Sequence, residues 1–380
     1  MTLNNMKNTG VQSIGIKLPI IREGDDLMFV VGRALLDAVH VGYNEGGASI
    51  FDLNDKDVIG ITESIVARAQ GNYVTLNNIV EFLEKLNITK NITLYSPIMS
   101  RNRFSMILKA FARYADYITI VVEGEFDEKG NPNYGANRFT GVVIRDYYKD
   151  ICKAENCQLN FIDNAVSKIY SLEYNRWHGI AFGETFIDAR CHPVYHTNAL
   201  TLANIMTSPI YGSGYNEDYG LLGSNKATDE KLKLFPRKKE AQELVEAIQS
   251  EIYTKLGVRV EVMVYGDGCF KDPVGGIWEF ADPVVSPAYT KGLEGTPNEI
   301  KIKAFADDEF AKLEGKELED AIKEKISNKD KDLVGKMASQ GTTPRRYVDL
   351  LGSLMDLTSG SGDKGTPVVL VKNYFNNYSN

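Results

Sequence analysis

Residues 57–71 combine a buried strand with a polar turn of the kind that can bind an anion. The apolar start of the segment predicts the strand, and Thr62, Glu63 and Ser64 follow it before a helix that ends at Gly71. Hydroxyls and backbone N–H groups at the start of a helix are able to hold a phosphate. The same residues are also typical of an ordinary helix cap, so two interpretations stay open.

A glycine-rich loop over residues 358–367 is a second candidate for phosphate binding. It contains Gly360, Gly362 and Gly365, with Asp363 between the last two. Glycines allow several backbone N–H groups to converge on one phosphate, but this spacing matches neither a P-loop nor a dinucleotide fingerprint. A flexible surface turn has the same composition and is the alternative.

Asp267 is the candidate metal ligand of the sequence. It lies between Gly266 and Gly268, just after a predicted strand over residues 258–265. Mg²⁺ and Mn²⁺ prefer carboxylate oxygens and often bridge to the phosphates of a substrate. An aspartate in a turn also commonly accepts hydrogen bonds from its own backbone, which is the alternative interpretation.

The composition is that of a soluble globular protein with room for two domains. The chain has 380 residues, of which 43% are hydrophobic and 25% charged, and no apolar run approaches the ~18 residues that span a membrane. The net charge of −8 argues against a nucleic-acid partner, since duplex affinity depends on Lys and Arg. Only four cysteines and no secretory pattern at the start predict a cytoplasmic location.

The order of the predicted elements favours an α/β fold of the mixed α+β kind, built from three segments. Residues 1–90 predict a first α/β part, which begins with a strand over 14–21. Residues 91–200 alternate strands with helices, which implies crossover connections and an inserted, doubly wound α/β subdomain with a parallel sheet. Residues 201–380 complete the core that the first part begins. Within them we expect helices over 200–206 and over about 238–256, and a last strand over 368–372.

The inserted sheet has an edge of its own where polar residues are expected. Ligands of doubly wound sheets bind at the carboxyl ends of the strands. This rule places Ser96, Ser100, Arg101, Glu123 and Asp163 near one edge, although solvated loop residues give the same pattern.

Motifs at both ends of the chain resemble a known family. The sequence LPIIREGDDL at residues 18–27 is followed by DVIGITESIVARAQG at 57–71, and GDKGTPVVLV occupies residues 362–371. In order, spacing and residue type they are similar to the N-terminal signature and the C-terminal loop of the coenzyme F420-0:gamma-glutamyl ligase family. The match covers about half of the chain, and residues 91–200 resemble an insertion into the family core.

The resemblance implies a two-part, F420 ligase-like core, a homodimer, and GTP (or ATP) used with Mg²⁺ or Mn²⁺. It implies an enzyme that adds glutamate to a small-molecule carboxylate through an acyl phosphate. Arg68 and Asp267 are then the expected catalytic residues, with Asp267 also holding metal. The expected nucleotide contacts are Lys17, Leu18, Pro19, Thr62, Glu63, Arg68, Asn225, Gly362, Asp363 and Gly365.

The chain departs from the family pattern at acidic positions. Leu222 stands where the resemblance places a metal-binding aspartate, and Arg68 stands where the family usually has lysine. The acidic residue of the C-terminal loop is replaced by Ser359 or Ser361. Losing carboxylates weakens divalent metal binding, because their charge offsets the cost of removing water from the ion. Either Glu217 or Asp218 could substitute for the missing ligand.

Three functional hypotheses follow from these observations. The first is a GTP- or ATP-dependent ligase that joins an acid to an amino acid. The second is a non-catalytic module that kept the fold and binds a nucleotide or small molecule without metal, for which Leu222 is the evidence. The third is an enzyme whose chemistry resides in the inserted sheet, supported by Arg101, Arg103 and Glu123.

Overall fold

The protein is described here by a computed structural model. The described residues are 10–44, 52–127, 132–137, 140–163, 170–171, 176–177, 185–190, 199–266, 285–340, 346–359 and 363–379.

Helices and strands alternate along most of the chain. The helices are α1 Leu27–Asn44, α2 Glu63–Ala69, α3 Leu76–Lys85, α4 Arg103–Tyr114, α5 Ile144–Ala154, α6 Lys238–Leu256, α7 Ile302–Asp307, α8 Gly315–Ser327 and α9 Tyr347–Thr358. The strands are β1 Gln12–Ile16, β2 Val58–Thr62, β3 Tyr73–Thr75, β4 Asn91–Tyr95, β5 Tyr117–Val122, β6 Gln158–Asp163, β7 Tyr170–Ser171, β8 Arg176–Trp177, β9 Thr185–Asp188, β10 Leu200–Thr201, β11 Ser224–Thr228, β12 Lys231–Leu234, β13 Glu261–Gly266, β14 Val285–Tyr289 and β15 Val368–Lys372.

A five-stranded sheet joins the two ends of the chain, in the order β1-β15-β2-β13-β14. β2 and β13 pair in parallel, whereas β15 is antiparallel to both of its neighbours, β1 and β2. β1, β2 and β13 therefore all run in one direction, and β15 runs against them.

Both faces of this sheet are apolar. Successive side chains of a strand point to opposite faces, so each face has its own set of apolar residues. On one face, residues such as Ile59 and Val262 pack with buried residues of α1 and α6. On the other face, Met263 and Val369 pack with buried residues of α9. Because both faces are buried, the strand sequences are continuous apolar runs rather than alternating ones. Burial of each valine or isoleucine stabilises the folded state by about 1.5–3 kcal/mol.

The middle of the chain forms a second five-stranded sheet, in the order β10-β9-β4-β5-β6. All of its pairs are parallel. The chain moves outward from β4 through β5 to β6 and then returns to the other side of β4. This reversal of strand order is the doubly wound arrangement, so the α/β class predicted from the sequence is confirmed.

The core of this second sheet extends beyond residues 91–200. Ile92 and Ile118 pack in one cluster with Leu76 of α3, Leu232 of β12 and Leu221. A three-stranded sheet, β11-β12-β3, contributes to this cluster from both flanking parts of the chain. The segment boundaries at 90 and 200 stay a prediction.

Two predictions about individual elements are wrong. Residues 200–206 form no α-helix; they contain β10 and a single 3-10 turn at Leu202–Asn204. The side chain of Asn204 accepts hydrogen bonds from the N–H and hydroxyl of Thr201 at 2.8 Å each, which competes with helical bonding. The first strand, expected over 14–21, ends at Ile16 because Leu18 turns to bond with Gly365.

None of the described helices is long and apolar enough to cross a membrane.

Candidate functional site

Four separate segments meet at one edge of the first sheet. The carboxyl ends of β1, β2 and β13 lie at this edge because the three strands run in the same direction. The amino end of β15 lies there too, since β15 runs against them. We call it the carboxyl edge; the segments that meet there are 17–18, 62–63, 266 and 363–367.

Two backbone hydrogen bonds fix the segments to one another. The N–H of Leu18 donates to the carbonyl of Gly365 at 3.2 Å, and the N–H of Thr62 donates to the carbonyl of Pro367 at 3.0 Å. Gly365 has a φ of +65°, a conformation that glycine adopts without strain. The structure therefore brings together the three motif segments, the last of which lies hundreds of residues after the first two.

The segment that contains Asp267 leaves the sheet at the same edge. Tyr265 of β13 pairs with Thr62, and Gly266 pairs with Val285, the first residue of β14. The end of β13 and the start of β14 therefore both lie at this edge. Asp267 itself lies outside the described residues, as does Gly362.

Glu63 is buried at the carboxyl edge and is held by a lysine. The Nζ of Lys233 lies 2.9 Å and 2.7 Å from the two carboxylate oxygens of Glu63. The exposed fraction of the side chain is 8% for Lys233 and 2% for Glu63. Thr62, at the position before α2, makes no side-chain hydrogen bond that caps this helix. The capping interpretation of the turn is thus not supported by its geometry.

Asn225 reaches the same region from the three-stranded sheet. It lies on β11 directly opposite Lys233 of β12, and opposite residues of an antiparallel pair have side chains on the same face. Leu222, by contrast, packs against the apolar core of the inserted part. Its carbonyl accepts a hydrogen bond from Arg103 at 2.6 Å, so Arg103 has a structural partner here.

The two cations among the expected nucleotide contacts, Arg68 and Lys17, are exposed, and so is Lys364. Arg68 lies in the last turn of α2, Lys17 follows β1, and Lys364 precedes Gly365. Pro19 and Asp363 are exposed in the same segments. Lys17 and Lys364 belong to segments of the carboxyl edge, whereas Arg68 lies at the end of α2 that is farther from this edge.

One of the two carboxylates that could replace a missing metal ligand, Asp218, forms an ion pair elsewhere. The Nζ of Lys238 lies 2.9 Å from Oδ2 of Asp218, and this hydrogen bond raises the pKa of Lys238. Among the described residues, no group of three His, Cys, Asp or Glu side chains could hold a metal ion.

The second predicted edge, in the inserted sheet, has different chemistry. Ser96 follows β4, Glu123 follows β5, and Asp163 ends β6, so all three lie at the carboxyl ends of their strands. Arg145 lies 2.6 Å from Asp163, and its hydrogen bond lowers the pKa of that carboxyl. Arg101 is exposed in the loop before α4.

Lys233 is the residue at the site that the motifs did not indicate. The sequence Lys231-Leu-Lys-Leu234 alternates charged and apolar residues, a pattern typical of a strand with one buried face. That pattern places Lys233 on the face opposite Leu232 and Leu234. The pattern does not indicate that Glu63, 170 positions away in sequence, lies next to Lys233.

Comparison with known proteins agrees with the motifs. The family model for F420-0:Gamma-glutamyl ligase matches residues 15–373, so the chain belongs to this family. Coenzyme F420:L-glutamate ligase of Methanothermobacter thermautotrophicus is 37% identical over 82 residues. The matched part is 21% of this chain and 28% of the length of that relative, little more than a quarter of it. The family expected from the sequence motifs is thereby confirmed.

Proposed function

We propose that this member of the F420-0:gamma-glutamyl ligase family is an enzyme that joins a small-molecule carboxylate to an amino acid, using GTP or ATP. The family suggests an amide-forming ligase. One observation carries the proposal for this chain: the segments of Leu18, Thr62 and Gly365 meet at the carboxyl edge through backbone hydrogen bonds. Nucleotides commonly bind in the crevice outside the carboxyl ends of strands.

The proposed reaction has two balanced steps. An oxygen of the substrate carboxylate attacks the terminal phosphorus of the nucleotide, the bond to the nucleoside diphosphate breaks, and an acyl phosphate forms. The amine nitrogen of the amino acid then attacks the acyl carbon. Phosphate leaves with the electrons of the C–O bond, the nitrogen loses a proton, and an amide remains. Glutamate is the amino acid that the family name indicates.

The exposed cations have the charge that such a transfer requires. Negative charge spreads over the oxygens of the transferring phosphoryl group, and positioned cations stabilise it. We assign this role to Arg68, with Lys17 and Lys364 as further phosphate contacts. The planar guanidinium of Arg68 allows two parallel hydrogen bonds to a phosphate, which a lysine cannot make.

A divalent cation is part of the proposal only through Asp267. The described carboxylates do not fit one, since Glu63 and Asp218 each bind a lysine. Mg²⁺ or Mn²⁺ would supply charge neutralisation of the nucleotide phosphates when bound. The acid that accepts the phosphoryl group, a homodimeric assembly and a cytoplasmic location likewise stay predictions.

The test measures product formation and binding in matched variants. Release of nucleoside diphosphate should require an acid and glutamate together, and R68M should reduce kcat/KM by at least about tenfold. R259M is the control, because Arg259 is also exposed but precedes β13 at the opposite edge of the sheet. Equal losses in both variants, or no turnover with any acid and amine pair, would refute the proposal.

A non-catalytic nucleotide-binding module is the second candidate. It is favoured by Leu222 at the expected aspartate position and by the lysine partners of Glu63 and Asp218. Calorimetric titration with GTP, with and without Mn²⁺, separates the two functions. A ligase binds GTP more tightly with Mn²⁺, whereas the module binds it equally well without the metal.

A further inference from the structure

We propose that Phe235 is a positioning residue for Asn225. Its ring lies between Gly223, which precedes β11, and Gly266, which ends β13, and so fixes the strand of Asn225 relative to the carboxyl edge. Phe235 then acts on nucleotide binding through Asn225 and not by touching the nucleotide. The inference rests on the proposed function for the ligand at this edge and for the role of Asn225 there.

The ring of Phe235 covers Gly223 on the neighbouring strand. A Cβ added to Gly223 would lie 2.1 Å from Cδ2 of Phe235 and 2.5 Å from its Cγ. The N–H of Phe235 also donates to the carbonyl of Gly223 at 2.7 Å, which extends the pairing of β11 and β12 beyond Ser224 and Leu234. A glycine inside a strand commonly marks a place where another group must approach closely. The start of β11 therefore cannot move toward the ring.

The same ring reaches the first sheet at Gly266. A Cβ added to Gly266 would lie 3.1 Å from Cε1 of Phe235 and 2.6 Å from Cγ of Glu63, so no side chain fits there. Gly223 is next to the Cδ2 and Cε2 atoms, whereas Gly266 is next to Cε1, across the ring from them. The width of the ring therefore sets the distance between the start of β11 and the end of β13.

Phe235 is itself held on several sides. Its carbonyl accepts hydrogen bonds from Nδ2 of Asn72 at 2.6 Å and from Nδ2 of Asn216 at 3.4 Å. The ring of Tyr219 packs edge-on against it, with 5.5 Å between the centroids. Only 3% of Phe235 is exposed, so the ring has no surface to offer a ligand. Any effect of Phe235 on binding must pass through the residues that it contacts.

Asn225 is the residue at the site that the ring can move. It follows Gly223 by two positions and lies opposite Lys233, whose Nζ bonds Glu63 at the start of α2. A hydrogen bond from a side-chain amide weakens steeply outside its normal range of distance and angle. A displacement of about 1 Å at a binding group can cost up to about 100-fold in the function that it serves. A narrower side chain at position 235 should therefore weaken the contact that Asn225 makes.

The test is a double-variant comparison by GTP titration of the full-length protein. We expect F235L and N225A each to weaken GTP binding at least about tenfold. F235L/N225A should bind within about threefold of N225A, because two residues that act through one contact are not additive. If F235L weakens binding in the N225A background as much as in the wild type, or if either single variant keeps its affinity, the proposal is overturned.

F82L is the matched control for loss of buried aromatic volume. Phe82 is 3% exposed, as is Phe235, but it lies on α3 in the core of the second sheet. F82L should bind GTP within about threefold of the wild type, and its small effect should add to that of N225A. An equal loss of GTP affinity in F82L and F235L would show that reduced core packing suffices, which also overturns the positioning role.

G223A disturbs the same contact from the other side. Its added methyl group overlaps Cδ2 of Phe235, so the ring or the strand must shift. G223A should weaken GTP binding at least about fivefold in the wild type, and G223A/N225A should bind within about threefold of N225A. This pair of variants decides the question should F235L not fold, because G223A keeps the ring. Additive losses here contradict the proposal in the same way.

A nucleotide-independent measurement keeps the two proposals distinguishable. Amide hydrogen exchange of peptides that contain Ser224–Thr228 and Glu261–Gly266 should rise together in F235L, and both should stay at wild-type values in F82L. If the wild type binds neither GTP nor ATP while this pattern is seen, the proposed function fails and the placement of β11 against β13 by Phe235 stands. Unchanged exchange of either peptide in F235L overturns that placement whatever the ligand.

Discussion

Leu18 donates its backbone N–H to the carbonyl of Gly365 at 3.2 Å, and so joins the exit of the first strand to the entry of the last. The two residues are separated by nearly the whole chain, yet both belong to segments with a family motif. This contact and the bond from Thr62 to Pro367 build the carboxyl edge from backbone alone. On these segments the side chains of Lys17 and Lys364 are exposed.

Replacing Gly365 should disturb this contact. At a φ of +65° a side chain is strained, so G365A should reduce the free energy of unfolding by about 1 kcal/mol. Urea denaturation measures the change, and GTP titration should show weaker binding as well. G10A is the control, because Gly10 has neither a positive φ nor an atom within 4 Å of an added Cβ. Equal effects of the two substitutions would contradict the prediction.

Gly60 allows α9 to lie close to the first sheet. A Cβ at Gly60 would overlap the sulfur of Met355, so G60A should reduce the free energy of unfolding by about 1–3 kcal/mol through overpacking. M355A alone should also be destabilising, because it leaves a cavity.

The double variant G60A/M355A tests that the two residues share one space. It should lose less stability than the sum of the single variants, by about 0.5–3 kcal/mol, since the added methyl occupies part of the vacated volume. Denaturant unfolding of all four proteins gives the coupling. Strict additivity would show that Gly60 is not constrained by Met355.

Glu230 should make stability depend on acid pH. Two hydrogen bonds from Arg113, at 2.8 Å and 2.9 Å, and one from Lys109 at 2.6 Å surround its carboxylate. They lower the pKa of Glu230 from 4.5 to about 2. Its stabilising contribution is therefore present above about pH 4.5 and is lost as the pH falls through about 2.

The variant E230Q removes this pH dependence. Because half of the Glu230 side chain is exposed, solvent screening limits the loss of unfolding free energy at neutral pH to about 1 kcal/mol. Urea denaturation of the wild type and E230Q between pH 2 and 7 measures the free energy of unfolding at each pH. R113M should remove more of the pH dependence than K109M, since Arg113 contributes more than Lys109 to the lowered pKa of Glu230. A reversed order would contradict this assignment.

Asp267 should control any response to divalent metal. D267N is expected to weaken Mn²⁺ binding in the presence of GTP by at least about tenfold, because a carboxylate charge offsets dehydration of the ion. Calorimetry or manganese paramagnetic resonance measures the affinity. D307N, at an exposed position of α7, is the control. Unchanged Mn²⁺ affinity in D267N would remove Asp267 from the site.

Local sequence patterns determined much of the secondary structure. The strand over residues 368–372 and the helix over 238–256 were predicted with their observed bounds. Both have strong periodicity and clear ends, such as Gly257 in the left-handed conformation after the helix. The predicted helix over residues 200–206 failed because a side chain of Asn204 bonds the backbone of Thr201, a contact that periodicity does not register.

By itself the sequence determined the family and the segments that carry its motifs, because residue type and spacing within a motif are local properties. The tertiary structure alone decided that Glu63 is bound by Lys233, since only the packing of the small sheet against the first one brings these strands together. It also decided that Leu18 and Gly365 meet, through the antiparallel register of β1 and β15. Register and burial depend on distant partners, which no local pattern contains.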